Sequence, residues 1–128
     1  AYLAVDDDSL RSAGLSKSKI SYIRNLAEAV ENGLSKSRLL HMSDADVLTE
    51  LTAIKGIGKW TAEMYLIFGL HRSDIISLGD AGLQRAAREL YNGGKPKDGL
   101  LEKVSAIWSP HRSTACWYLW RSLDNEPL

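Results

Sequence analysis

Apolar residues recur along this chain at three-to-four spacing, and nowhere do they alternate in the two-residue rhythm of a strand. The pattern predicts an all-α fold, a helical bundle. Asp6 or Asp7 can cap a first short helix that Gly14 ends. Ser16 opens a longer one, with Ile20, Ile23, Leu26, Ala27 and Val30 on one face and Gly33 just past its end. Ser43 with Asp46 reads as a capping box that starts a helix running through Leu51. A helix over about 58–69 presents Trp60, Met64 and Ile67 or Phe68 at helical spacing. A loop over 72–79 leads to a helix over about 80–91, and Asn92-Gly93-Gly94-Lys95-Pro96-Lys97 is a loop. Two last helices fit 98–108 and 111–123, the second starting at Pro110.

Between two of these helical stretches the chain reads Leu51-Thr-Ala-Ile-Lys-Gly-Ile-Gly-Lys-Trp-Thr-Ala62. Gly56 and Gly58 bracket one isoleucine, and glycine permits dihedrals that other residues resist, so a tight hairpin with outward amides is expected. The hairpin opens the helix carrying Trp60, Thr61 and Ala62, whose first N–H groups and positive dipole end suit an anion such as a backbone phosphate. The arrangement is a helix-hairpin-helix motif, and it points to DNA.

Composition changes this picture little. A chain of 128 residues, 45% hydrophobic and 25% charged, fits one ordinary globular domain. No run approaches the roughly 18 apolar residues that would span a bilayer, so no membrane is expected as a partner. The start, Ala1 to Val5 followed by three aspartates, lacks the basic flank of a signal peptide and is too short for one. The single Cys116 allows neither an intrachain disulfide nor a cysteine-ligated iron–sulfur cluster, and a reducing, intracellular setting is expected. Net charge is zero, but residues 51–97 hold seven bases against four acids, so the hairpin lies in the positive part. His41, His71 and His111 are too scattered for a metal site and read as surface or capping residues.

Three segments carry a family signature in order. They are Ile54-Lys-Gly-Ile-Gly-Lys-Trp-Thr-Ala62, Leu78-Gly-Asp-Ala-Gly-Leu-Gln-Arg-Ala86, and Trp108-Ser-Pro-His-Arg-Ser-Thr-Ala-Cys-Trp-Tyr-Leu-Trp-Arg-Ser-Leu123. From about Leu3 to Asp124 the chain resembles the helix-hairpin-helix DNA glycosylases, specifically the 3-methyladenine DNA glycosylase II type. The resemblance implies base excision repair: a damaged purine is flipped out of double-stranded DNA and its N-glycosidic bond is hydrolysed. It implies that Asp80 is the catalytic aspartate and that Trp60, Met64 and Trp120 line the base pocket. It implies that Gly56 and Gly58, with Lys59 and Thr61 beside them, clamp the DNA backbone. Backbone carbonyls of Thr52, Ile54 and Ile57 match a site for a monovalent cation, sodium or potassium, and no other cofactor is required.

The chemistry agrees. Alkylation places a positive charge on the purine, making it a good leaving group, so what remains is to stabilise an oxocarbenium-like sugar and deliver water. One carboxylate near the anomeric carbon can do both. Tryptophan faces attract a cationic ring by roughly 0.5–2 kcal/mol per contact, and a lesion with damaged pairing flips more readily.

Each residue also has a plainer reading. Asp80 fits the N-cap of the helix after it, which is compatible with catalysis because the helix dipole favours a carboxylate as an anion. Trp60 and Trp120 fit core positions as well as a pocket; Trp108 and Trp117 are read as core, Tyr118 is undecided, and Met64 fits either. Arg112 and Ser113 read as first-turn residues of the last helix with structural hydrogen bonds. Family members that also cleave the backbone place a nucleophilic lysine two residues after the second hairpin glycine. Trp60 stands there and Lys59 one residue earlier, so a monofunctional enzyme without Schiff-base chemistry is expected. Relative to the family the chain lacks several N-terminal helices and their intercalating loop. Residues 1–128 are therefore read as a glycosylase domain incomplete at its N-terminus, monomeric in its full-length form, acting in the cytoplasm or nucleoid of a prokaryote or the nucleus of a eukaryote. A non-catalytic helix-hairpin-helix module that only grips DNA backbone is the alternative; an adenine-mismatch or oxidised-base glycosylase fits less well, for want of the lyase lysine and cluster cysteines.

Overall fold

Side chains set most of the helix starts. The third backbone N–H after the cap donates to Asp6 Oδ1 at 2.9 Å, to Ser16 Oγ at 3.2 Å, to Ser35 Oγ at 3.2 Å, to Ser43 Oγ at 3.1 Å and to Asp80 Oδ1 at 2.8 Å. The computed structural model describes residues 4–124; Leu3, where the family resemblance begins, lies with residues 1–2 and 125–128 outside the described residues. The helices are α1 (Asp7–Ser12), α2 (Lys17–Glu31), α3 (Lys36–Leu40), α4 (Asp44–Thr52), α5 (Lys59–Met64), α6 (Ala81–Tyr91), α7 (Leu100–Ser105) and α8 (Arg112–Asp124). No strand occurs among the described residues, so the all-α expectation holds. No helix among them is long and apolar enough to cross a membrane.

The chain divides into two compact units, one ending at Ala62 and the other beginning at Glu63. In the first, α1 packs on α2, and Leu10, Ile20, Leu34, Leu39, Val47 and Leu51 are buried. In the second, α6 packs against both α7 and α8. Its core joins Leu83, Ala86 and Ala87 of α6 to Leu100 and Leu101 of α7 and to Cys116 and Leu119 of α8. Two alanines on the buried face of α6 let neighbouring helices approach closely, and burial pushes the Cys116 thiol up to about 11.

Five expectations are corrected. The helix over 58–69 is not α-helical throughout: after Met64 the backbone widens into a π turn, Tyr65–Gly69, with Leu70 N–H donating to Tyr65 O at 2.9 Å. A Cβ at Gly69 would lie 2.5 Å from the Tyr65 ring, so the turn forms where that ring lies against bare backbone. Trp117, read as core, is 52% exposed, because α8 turns Cys116 and Leu119 inward instead. On α2 the apolar face is only partly covered: Ile20 is buried while Leu26 and Val30 are exposed. The last helix begins at Arg112 rather than Pro110, since His111 N–H closes a turn on Trp108 O at 2.7 Å, after a cis Ser109–Pro110 bond. The 98–108 stretch is α7 continued by a 3₁₀ turn, Ala106–Trp108. The Ser35-capped α3 went unread.

Candidate active site

In the first unit the hairpin links α4 to α5. Ile54 N–H donates to Leu51 O at 3.2 Å and Ile57 N–H to Ile54 O at 3.0 Å, closing the turn that holds Lys55 and Gly56. Asn25 of α2 braces it from the side, its Nδ2 donating to Lys55 O at 2.9 Å. Gly56 has φ +107°, and a Cβ there would lie 2.3 Å from the Tyr22 ring, so this position demands glycine twice over. Gly58 differs from the expectation for the pair. Its φ is not positive and nothing lies within 4 Å of a Cβ built on it, so the fold itself would accept a side chain there. Gly58 O accepts Ala62 N–H at 3.1 Å, which makes Gly58 the residue from which α5 springs. Lys59, Trp60 and Thr61 form the exposed first turn of α5, Trp60 being 53% exposed.

Thr52, Ile54 and Ile57 lie along the same turn. Ile54 O accepts one hydrogen bond, and a carbonyl has two lone pairs, so it can still face a cation. Neutral carbonyl oxygens suit a hard cation rather than a thiophilic or imidazole-seeking metal. Among the described residues no group of three His, Cys, Asp or Glu side chains is placed to hold a metal ion.

In the second unit the structure brings Asp80 and Trp120 together. Asp80 is the N-cap of α6 and only 8% exposed. Its Oδ1 accepts two hydrogen bonds, from Leu83 N–H at 2.8 Å and from the Trp120 indole Nε1–H at 3.0 Å, across forty residues of sequence. The helix cap and the indole bond thus fall on one oxygen. The backbone donor fixes the carboxylate relative to α6, and the indole fixes it relative to α8. Met64, half-buried, ends α5 where the π turn begins.

Three residues that bear on this pair were not singled out in the sequence. Phe68, 52% exposed, sits on the π turn with its ring centroid 5.8 Å from that of Trp120, tilted by 31°. Its signal was the ambiguity between Ile67 and Phe68: the π turn buries Ile67 and leaves Phe68 outside. Gly82 is the second. A Cβ there would come to 3.1 Å from Asp80 Oδ1 and 3.3 Å from Trp120 Cδ1, so its absence makes room for the bond between them. A glycine inside the first turn of a helix was the available clue. Glu63 is the third, a carboxylate 5% exposed.

The loop that delivers Asp80 is held at several points. Asp74 takes four hydrogen bonds: from Arg112 Nε at 2.7 Å, Arg112 Nη2 at 3.0 Å, Arg112 N–H at 3.2 Å and Ser109 Oγ at 2.8 Å. The Arg112 guanidinium holds the Asp74 carboxyl well below the usual carboxylate range. Ser113 Oγ donates to Arg72 O at 2.6 Å and accepts from Ile75 N–H at 2.9 Å. Arg112 and Ser113 are therefore structural, as expected. His71 and His111 are exposed and His41 is the C-cap of α3. A cleft of about 430 Å³ in this unit is lined by Phe68, His71, Arg72, Trp117 and Tyr118, among others. Asp80 and Trp120 are not among its lining residues, but Phe68, which packs against Trp120, is.

With that geometry in hand, comparison with known proteins is specific. The family described as "HhH-GPD superfamily base excision DNA repair protein" matches residues 1–110. DNA-3-methyladenine glycosylase 1 of Schizosaccharomyces pombe is 37% identical over 121 residues, covering 92% of this chain and 53% of the relative. A crystal structure of DNA-3-methyladenine glycosidase from Bacillus halodurans superposes with TM-score 0.88 at 47% identity, covering 94% of this chain and 56% of that one. The Schizosaccharomyces pombe 3-methyladenine DNA glycosylase in complex with abasic DNA superposes with TM-score 0.87 at 35% identity, covering 97% of this chain and 62% of that one. The chain spans about half the length of the curated relatives it matches.

Proposed function

Because the chain belongs to the HhH-GPD superfamily of base excision DNA repair proteins, we propose that it acts on double-stranded DNA carrying alkylated purines such as 3-methyladenine and 7-methylguanine. It hydrolyses the N-glycosidic bond of the flipped-out base. The observation that carries this reading is the buried Asp80 carboxylate, fixed through one oxygen to both α6 and the Trp120 indole.

The chemistry follows from that placement. An alkylated purine leaves with little protonation, so positive charge accumulates on the sugar. A carboxylate already oriented by two N–H donors meets that charge without reorganising and can accept a proton from the attacking water. Trp120 and Phe68 offer aromatic faces to a cationic ring, at roughly 0.5–2 kcal/mol per contact. Trp60 and Met64 are assigned to the same base on the family resemblance. Gly56, Gly58, Lys59 and Thr61 are assigned to the phosphate backbone. The carbonyls of Thr52, Ile54 and Ile57 would hold a monovalent cation, which when bound adds positive charge beside that phosphate. Trp60 standing at the lyase position supports hydrolysis without strand cleavage, by a protein acting as a monomer inside the cell.

The test is incubation with methylated genomic DNA and identification of the free bases. The full-length protein is expected to release 3-methyladenine and 7-methylguanine, and no covalent DNA adduct should be trapped by borohydride. Asp80→Asn keeps a cap on α6 and should lower the rate at least about 100-fold while leaving duplex affinity within about threefold. Near-wild-type excision by that variant overturns the assignment of Asp80, whereas duplex binding with no base released by the wild-type protein leaves a module that only grips DNA backbone.

A further inference from the structure

Glu63 and Asp80 are the two buried carboxylates among the described residues, and the chemistry above uses one of them. Burying a carboxylate is costly unless it is hydrogen-bonded. Glu63 Oε2 accepts a hydrogen bond from the Ser77 hydroxyl, and Ser77 is fully buried. Ser77 in turn accepts Asp80 N–H on its own carbonyl at 3.1 Å, closing the four-residue turn that ends at the cap of α6. A continuous path therefore runs from the Glu63 carboxylate through Ser77 to the backbone of Asp80, and from the Asp80 side chain to Trp120.

Another side chain near the end of the loop is bound differently. Gln84 Nε2 donates to Leu78 O at 2.7 Å, but Gln84 belongs to α6, the helix that Asp80 itself caps, so this bond moves with the cap. Asp74, Ser113 and Cys116 hold the loop at positions 72–75. Glu63 instead ties the turn at Ser77 to the chain at Glu63–Met64, within the same unit, and so fixes how Asp80 stands relative to that segment rather than relative to its own helix. We propose that Glu63 is a positioning residue for Asp80, acting through the Ser77 hydroxyl. This rests on Asp80 being the catalytic group; the geometry of the link does not.

The test measures single-turnover excision from methylated duplex DNA alongside the indole N–H resonance of Trp120, assigned with Trp120→Phe. That resonance reports the bond to Asp80 whether or not the protein excises anything. Glu63→Ala is expected to slow excision about 10- to 100-fold at unchanged duplex affinity, the range for a displacement on the ångström scale, and to shift the Trp120 resonance. Ser77→Ala should do the same, and the double variant should be no slower than either single one, since all cut one link. Glu63→Gln keeps an acceptor for the Ser77 hydroxyl and should restore excision to within about threefold with the resonance unmoved. If Glu63→Ala does not fold, Ser77→Ala and Glu63→Gln carry the comparison. Excision and resonance both unchanged in Ser77→Ala, or Glu63→Gln as impaired as the alanine variant, overturns the proposal. A resonance that shifts as described in a protein that releases no base upholds the link and overturns the function instead.

Discussion

Gly56 and Gly58 both lack a Cβ and differ in what demands its absence. At Gly56 the demand is internal: a left-handed backbone with the Tyr22 ring against it. At Gly58 neither backbone nor neighbours exclude a Cβ, so a glycine there makes sense if something outside the free protein approaches closely. The two alanine variants should therefore part company. Gly56→Ala is expected to lower thermal stability by well over 1 kcal/mol, since it adds both strain and overlap. Gly58→Ala should cost less than about 1 kcal/mol, as a change at a helix N-cap, yet weaken binding to damaged and undamaged duplexes alike. Melting curves and duplex titrations on the two variants check this, and a Gly58→Ala that binds as wild type contradicts the clamp.

Among the elements, the loop between the π turn and α6 depends most on contacts far away in sequence. Its brace is Asp74, bound bidentately by Arg112 at the start of α8. Because the folded value of Asp74 lies below its unfolded one, its stabilisation is complete above about pH 4 and is lost as the pH falls through the folded value. Melts from pH 7 downward should show wild type losing this contribution below about pH 4. Asp74→Asn should start about 1 kcal/mol lower at neutral pH and converge on wild type in acid. A constant difference at all pH values contradicts the assignment. Four caps are legible in the sequence because each is a local bond spanning three residues. Ser16, Ser43 and Asp80 stand out from their own neighbourhoods, and Asp6 as one of two candidates with Asp7. The equally local Ser35 cap opens a helix too short to show a periodic face. The π turn was not, since it depends on where the Tyr65 ring lies relative to Gly69, and periodicity carries no such information. Trp117 misled for the same reason: a tryptophan at helical spacing is consistent with either face until α6 and α7 decide which side of α8 is covered. In the candidate site the sequence named Asp80 and Trp120 from the family signature, but the oxygen they share and the link from Glu63 through Ser77 require coordinates.

Across the 128 residues, equal numbers of acids and bases leave no net charge to draw DNA toward them. On the proposed function, affinity for duplex would then come from local contacts, and residues 51–97, which include the hairpin, hold seven bases against four acids. Counterion release makes this measurable, because the logarithm of the binding constant falls with the logarithm of salt by about 0.9 for each phosphate neutralised. A chain whose sixteen bases are balanced by sixteen acids should give a shallow slope, corresponding to about two to four phosphates rather than the larger footprint of a strongly basic protein. Lys59, exposed in the first turn of α5, should supply one unit of it: Lys59→Ala is expected to flatten the slope by about one without changing which base is released. Backbone amides contribute affinity with little salt dependence, so the hairpin's share belongs to the binding of undamaged duplex that survives at high salt. If Lys59→Ala leaves the slope untouched, the charge engaged by DNA lies elsewhere in the chain, and the hairpin's part in binding reduces to its amides.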